Sequence, residues 1–192
     1  SLPHSDAIIS FLNAPYNGEG LQNSFVIGGL VQPAKAYYIV KNVLPNFIKQ
    51  KYFPVFVCSS EESAEEFFEN LDEFLRFCSA QSIGASSNSI RTGILKCWEH
   101  SPYSTVSPHS ESIAVRNRAL YDLQHGKLNA LVCGITSIGQ ACPSPKYLKD
   151  FTLRFQVGQR YERSYVQERL DAAGYSQADQ VCDPGYFTFR GS

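Results

Sequence analysis

The sequence predicts an α/β fold: a mostly parallel sheet with helices on both faces, followed by part of a small α+β unit. Apolar runs of strand length alternate with helical patterns, turn residues separate them, and the alternation stops after Pro145. Alternating strands and helices form βαβ units, whose crossovers make neighbouring strands parallel. We therefore expect a first domain over residues 1–148 and the start of a second over residues 149–192.

Apolar periodicity and helix-start residues divide the first domain into alternating elements. Pro45 is expected to kink or shorten its helix, because proline lacks an N–H and crowds the preceding turn. Ser59 and Ser60 precede two glutamates, which is typical of a capped helix start. The predicted strands lie at residues 24–27, 53–58, 91–98 and 130–135, and the predicted helices at residues 7–12, 34–48, 61–77, 111–123 and just after Thr136-Ser137.

The last 44 residues follow a different pattern. A strand is predicted over residues 151–157, a helix over 163–173 that stops at Gly174, and two short strands near 178–181 and 186–190. This order indicates a small α+β unit with an antiparallel component. Because the strand-like run continues to residue 192, we interpret this second unit as truncated.

Composition excludes several classes of protein. The net charge is −1 and 18% of residues are charged, unlike the strongly basic surface of an autonomous nucleic-acid binder. No apolar run approaches the ~20 residues of a membrane-spanning helix, and we find no signal peptide. Six cysteines occur without a C-x-x-C pair or zinc-ligand spacing. We expect reduced, packed thiols, no metal site and a cytoplasmic location.

A degenerate phosphate-binding loop follows the first predicted strand. Residues 29–36, GLVQPAKA, have the spacing G-x-x-x-x-G-K-[ST] between a strand and a helix. Gly29 and Lys35 match this pattern. Ala34 replaces the second glycine, and Ala36 replaces the hydroxyl residue that binds Mg²⁺. Since phosphoryl transfer depends on that metal, we expect no catalysis here; alternatively, Lys35 is an ordinary exposed helix lysine.

Arginines are concentrated near the end of the chain, at positions 154, 160, 163, 169 and 190. Acidic residues in the same stretch balance their charge, so solvated surface positions are one interpretation. A basic edge that contacts a partner is the alternative.

Two longer segments resemble a known family. Residues 98–109, WEHSPYSTVSPH, resemble the W-E-x-x-P-Y-x-x-x-S-P-H stretch of bacterial transcription-repair coupling factors (Mfd). Residues 157–191 are similar to the segment that those proteins share with the excision-repair helicase UvrB, through L-x-x-x-G-Y at residues 170–175 and F-x-x-R-G at 187–191. Phe189 departs from the small or aliphatic residue expected before the arginine.

The resemblance implies a fold and a function. It implies a RecA/helicase-like domain 1a that has lost its nucleotide site, then a domain 2 that recruits the damage-recognition ATPase UvrA through Arg190. It implies a non-catalytic adaptor in nucleotide excision repair, with no cofactor of its own. ATP, Mg²⁺, DNA and RNA polymerase would bind other parts of the full-length protein, an expected DNA translocase. A nucleotide-binding, UvrB-like helicase fragment is the alternative, and a DNA-backbone-binding module is a third.

Overall fold

The computed structural model describes residues 30–81, 90–98, 105 and 109–190. The predicted helix at 7–12 and the predicted strand at 24–27 lie outside these ranges. Within them, three strands form a parallel sheet in the order β1-β3-β2: β1 (Val55–Cys58), β2 (Thr92–Leu95) and β3 (Ala130–Gly134). The predicted parallel α/β fold is confirmed.

Helices cover both faces of this sheet, as predicted. Helix α3 (Glu61–Gln81) packs its apolar side on the face that carries Ala130 and Val132. Helix α4 (Ser110–Gln124) lies against the opposite face, where Leu131 and Cys133 contact its Ala119. Alternate residues of β3 therefore face the two helical layers, and every residue of this central strand is buried.

The outer strand β1 is less covered than β3. Its Val55 pairs with Leu131 and its Val57 with Cys133. These valines are nevertheless 44% and 49% exposed, because α4 packs on the β2 side of that face.

The helix predicted over residues 34–48 is divided by a wider turn. Helix α1 (Gln32–Tyr38) continues into a π-helical turn (Ile39–Val43) and then into α2 (Leu44–Lys49). The amide of Leu44 donates to the carbonyl of Ile39, five residues back. Proline at position 45 has no N–H for the preceding turn and its ring crowds that turn, so the chain widens just before it. The predicted interruption at Pro45 is confirmed.

Helix α3 begins where the sequence predicts. The Oγ of Ser60 accepts from the amide of Ser63 at 3.1 Å and caps the helix, while Glu61 and Glu62 lie at the positive end of its dipole. Its buried residues Ala64, Phe67 and Leu71 belong to the main apolar cluster, which also contains Ala36.

After β3 come the short helices α5 (Ile135–Ile138) and α6 (Pro145–Asp150), then α7 (Arg163–Ala172). Helix α6 runs across position 148, and the domain boundary there stays a prediction. Gly174 follows α7 with φ +85°, a conformation suited to glycine, so the predicted helix stop is confirmed.

Two predictions for the last segment are wrong. No strand forms over residues 151–157: the Tyr161 hydroxyl donates to the Arg154 carbonyl at 3.2 Å and accepts from the Gln156 amide at 3.0 Å, so a side chain satisfies this backbone. The strands β4 (Ser176–Gln177) and β5 (Tyr186–Phe187) are parallel rather than antiparallel. Residues 178–185 carry the chain back, so both strands run in one direction.

Candidate functional site

The structure places the degenerate phosphate loop within the first turns of α1. Gly29 lies outside the described residues. Ala34 is half-buried, and the amide of Lys35 donates to the carbonyl of Val31 at 3.0 Å, so this part of the loop is helical.

Ala36 is fully buried in the main apolar cluster, with Val40, Leu44 and Ala64. A serine or threonine here would direct its hydroxyl towards apolar atoms of α3 rather than towards a metal. Burying an unpaired hydroxyl also costs free energy. The local packing therefore suits the methyl group that the sequence provides.

Lys35 is exposed at the rim of a cavity of about 550 Å³ beside β1. Cys58, Ser59 and Ser63 also line this cavity, near the carboxyl end of β1. Burial raises the pKa of the Cys58 thiol, and the nearby positive charge of Lys35 only partly opposes this rise. No carboxylate is among the described residues that line the cavity. The described lining offers one ammonium group, the side-chain amide of Gln32 and three hydroxyls, those of Tyr38, Ser59 and Ser63. These groups can attract an anion, but they include no acidic ligand for Mg²⁺.

The carboxylate of Glu61, which was predicted only to favour a helix start, connects the ends of two strands. Glu61 accepts from the hydroxyl of Thr136 at 2.6 Å and the amides of Ser137 and Cys97, each at 3.2 Å. Gly134 makes room for it, since a Cβ there would lie 2.2 Å from Glu61 Oε1. The carboxyl edge of a parallel sheet is where such folds bind ligands, and here a side chain of the protein itself occupies part of it.

A buried guanidinium supports the same edge. Arg116, 2% exposed, donates to the carbonyl of Lys96 at 2.7 Å and also lies within 3.5 Å of carbonyls that follow β3. Beside it, the side-chain amide of Gln140 accepts from the amide of Trp98 at 2.7 Å and donates to its carbonyl at 3.2 Å. These contacts hold Lys96 and Trp98, and Trp98 is the first residue of the segment that resembles the coupling-factor motif. No role was predicted for Arg116 or Gln140.

The last segment has a small core of its own, where Val166 of α7 and Phe187 of β5 are buried. Arg190, the predicted UvrA contact, is exposed just after β5. Among the described residues, no hydrogen bond or ion pair joins Arg190 to the predicted phosphate loop.

The other arginines of this segment have different environments. Arg154 donates to the Tyr121 hydroxyl of α4 at 2.7 and 3.0 Å, and Arg169 donates to the Asp150 carbonyl. Arg163 lies over the ring of Phe189. Arg154 and Arg169 donate hydrogen bonds within the chain. The alternative of a basic edge that contacts a partner therefore rests mainly on Arg160, Arg163 and Arg190.

All six cysteines lie in the described ranges, and no disulfide joins them. Cys133 is buried, Cys58, Cys78 and Cys97 are half-buried, and two others are exposed. The expected packing holds for four of the six, and their reduced state stays a prediction. Among the described residues, no group of three or more His, Cys, Asp or Glu side chains is placed to hold a metal ion. Within the same ranges, no helix is both long and apolar enough to cross a membrane.

Fold and site together define a parallel α/β domain with a lysine near one strand end and a small appended unit with an exposed arginine; no carboxylate is among the described residues that line the cavity beside the lysine. The chain is similar to the transcription-repair-coupling factors of three bacteria, which confirms the predicted resemblance. It is 36% identical to the protein of Haemophilus influenzae and 33% identical to that of Escherichia coli, each over 95 residues, which are 50% of this chain and 8% of the relative. The protein of Myxococcus xanthus is 28% identical over 140 residues, which are 71% of this chain and 11% of the relative. No protein-family model matches the chain.

Proposed function

We propose that this chain is a non-catalytic docking module for transcription-coupled nucleotide excision repair, which recruits UvrA in the context of a longer protein. Homology to transcription-repair-coupling factors supports the repair role. In that longer protein, other segments would bind RNA polymerase, DNA, ATP and Mg²⁺, and the chain would act in the bacterial cytoplasm.

The main evidence against catalysis is the buried methyl group of Ala36. Phosphoryl transfer obtains most of its acceleration from a bound metal and preorganised donors. Ala36 faces the apolar cluster, and the described lining around Lys35 has no acid. An ammonium alone neutralises one charge of a triphosphate and does not position a nucleophile.

The exposed guanidinium of Arg190 supports docking. Arginine has five donors in a rigid planar fork, which suits carboxylates on a partner surface. Arg190 lies three residues after Phe187, whose side chain is buried at the end of β5. The proposed domain 2, residues 149–192, would present this side chain to UvrA.

Titration of purified UvrA against the full-length protein tests this proposal. We expect Arg190→Ala to weaken binding by about 1–3 kcal/mol, as for a hot-spot arginine. Arg76→Ala is the matched control, because Arg76 is also exposed but pairs with Asp72 on α3. Equal affinities for the Arg190 and Arg76 variants would contradict the proposal.

The cavity beside β1 favours one second candidate, a nucleotide-binding, UvrB-like helicase segment. Its volume of about 550 Å³ and the presence of Lys35 at its rim are compatible with an anionic ligand. Calorimetric titration with ATP and Mg²⁺ separates the two functions. Micromolar binding to this chain that disappears in Lys35→Ala would support the second candidate, and no heat of binding would support docking.

A further inference from the structure

A stack of three side chains leads from the core of the last segment to its surface. Phe187 is buried at 8% exposure, and Phe189 contacts it edge to face with 5.5 Å between ring centroids. The guanidinium carbon of Arg163, the first residue of α7, lies 4.6 Å from the centroid of Phe189. Stacking on an aromatic ring fixes the plane of the guanidinium and leaves its N–H edge available.

The position of Arg163 is electrostatically unfavourable for stability. It occupies the first turn of α7, where the helix dipole is positive and a cation is repelled. Glu162 precedes Arg163 as the N-cap residue, but the turn itself contains no acidic residue, and the ion pairs among the described residues do not include Arg163. Arg163 is held by an aromatic ring and forms no ion pair with a described carboxylate. An external anionic partner explains this arrangement better than a contribution of Arg163 to the stability of the fold.

We infer that Arg163 is a second partner-contact arginine, positioned by Phe189, and that it binds a carboxylate of the docking partner. This inference rests on the proposed docking function. Phe189 directly precedes Arg190 in the chain, so Arg163 contacts the same short segment that carries the proposed UvrA-contact arginine. The phenylalanine that departs from the coupling-factor pattern thereby acquires a role, which is to hold Arg163.

The test is titration of purified UvrA against the full-length protein with Arg163→Gln, Phe189→Leu and the double variant. Arg160→Gln is the matched control, since Arg160 is exposed and close in sequence. We expect Arg163→Gln to weaken binding about tenfold, as for an interface arginine, and Arg160→Gln to change it less than about twofold. Arg163→Lys keeps the charge but not the planar fork, and should lose nearly as much as Arg163→Gln.

Two further results separate docking from a structural role. Loss of the cation from the α7 start should leave thermal stability unchanged or slightly higher while binding weakens. Phe189→Leu should weaken binding in the wild-type background but not in the Arg163→Gln background, because it acts through the arginine.

The failures are distinguishable. If wild-type protein does not bind UvrA, the proposed function and this inference are both overturned. If wild-type protein binds and Arg163→Gln matches Arg160→Gln, only this inference is overturned. If Phe189→Leu weakens binding equally in the wild-type and Arg163→Gln backgrounds, Phe189 does not act by positioning Arg163.

Discussion

Replacing Glu61 with alanine would remove the carboxylate that connects the carboxyl ends of β2 and β3. The amides of Cys97 and Ser137 and the hydroxyl of Thr136 would lose their acceptor. Thr136 is exposed and regains water, so only the two amides contribute substantially. Hydrogen bonds to a charged group are worth about 1.5–3 kcal/mol each, and partial exposure of Glu61 reduces this. We expect the free energy of unfolding to fall by about 2–4 kcal/mol.

Urea denaturation followed by Trp98 fluorescence measures this change. Trp98 is the single tryptophan, and its backbone is held by Gln140 next to the same strand ends. Glu62→Ala is the control, because Glu62 is exposed in the same helical turn and also interacts with the helix dipole. We expect the control to cost less than about 0.5 kcal/mol. Equal losses for both variants would refute the role of Glu61, since the helix dipole alone would then explain them.

Two further predictions concern a buried carboxylate and the thiols. Burial raises the pKa of Asp122, but the stronger combined effect of Arg118 and Lys127 holds it below its usual 3.8. The stability that Asp122 provides is therefore complete above that pH and lost as pH falls through the lowered pKa. Asp122→Asn should cost about 1–2 kcal/mol at pH 7, and the difference from wild type should shrink below pH 4 in denaturation curves; a constant difference would contradict this. Burial raises the pKa of the Cys133 thiol, so a thiol reagent at pH 8 should modify the exposed Cys142 first, and equal rates would be inconsistent with the packing.

The first domain was predictable because its signals are local. Helix α3 combines a serine cap, two acidic residues and a continuous apolar stripe, and it forms from Glu61 as predicted. The central strand β3 is a run of five buried residues, which is typical of a parallel sheet covered on both faces. These patterns specify the elements without knowledge of their neighbours.

The missing parts depend on contacts between distant residues. Predicting that Glu61 accepts these hydrogen bonds would have required knowing that Cys97 and Ser137 lie at the same sheet edge. They are 36 and 76 residues away in sequence. The strand predicted over 151–157 failed because the hydroxyl of Tyr161 binds that backbone. The sequence did contain a signal for the role of Glu61: an acidic residue lies three positions after β1, and a hydroxyl pair, Thr136-Ser137, follows shortly after β3. No comparable signal exists for the failed strand.

The π-helical turn before Pro45 has a geometric consequence for the helix that carries Lys35. Ala36, Val40 and Leu44 are buried at intervals of four residues. In a regular α-helix each such interval advances about 40° beyond a full rotation, so the three side chains would spiral away from one another. The wider turn at Ile39–Val43 rotates the chain back and keeps them in one line against α3. The wider turn thus lets α1 and α2 bury one continuous line of side chains, while Lys35, next to Ala36 in α1, faces away from the protein interior.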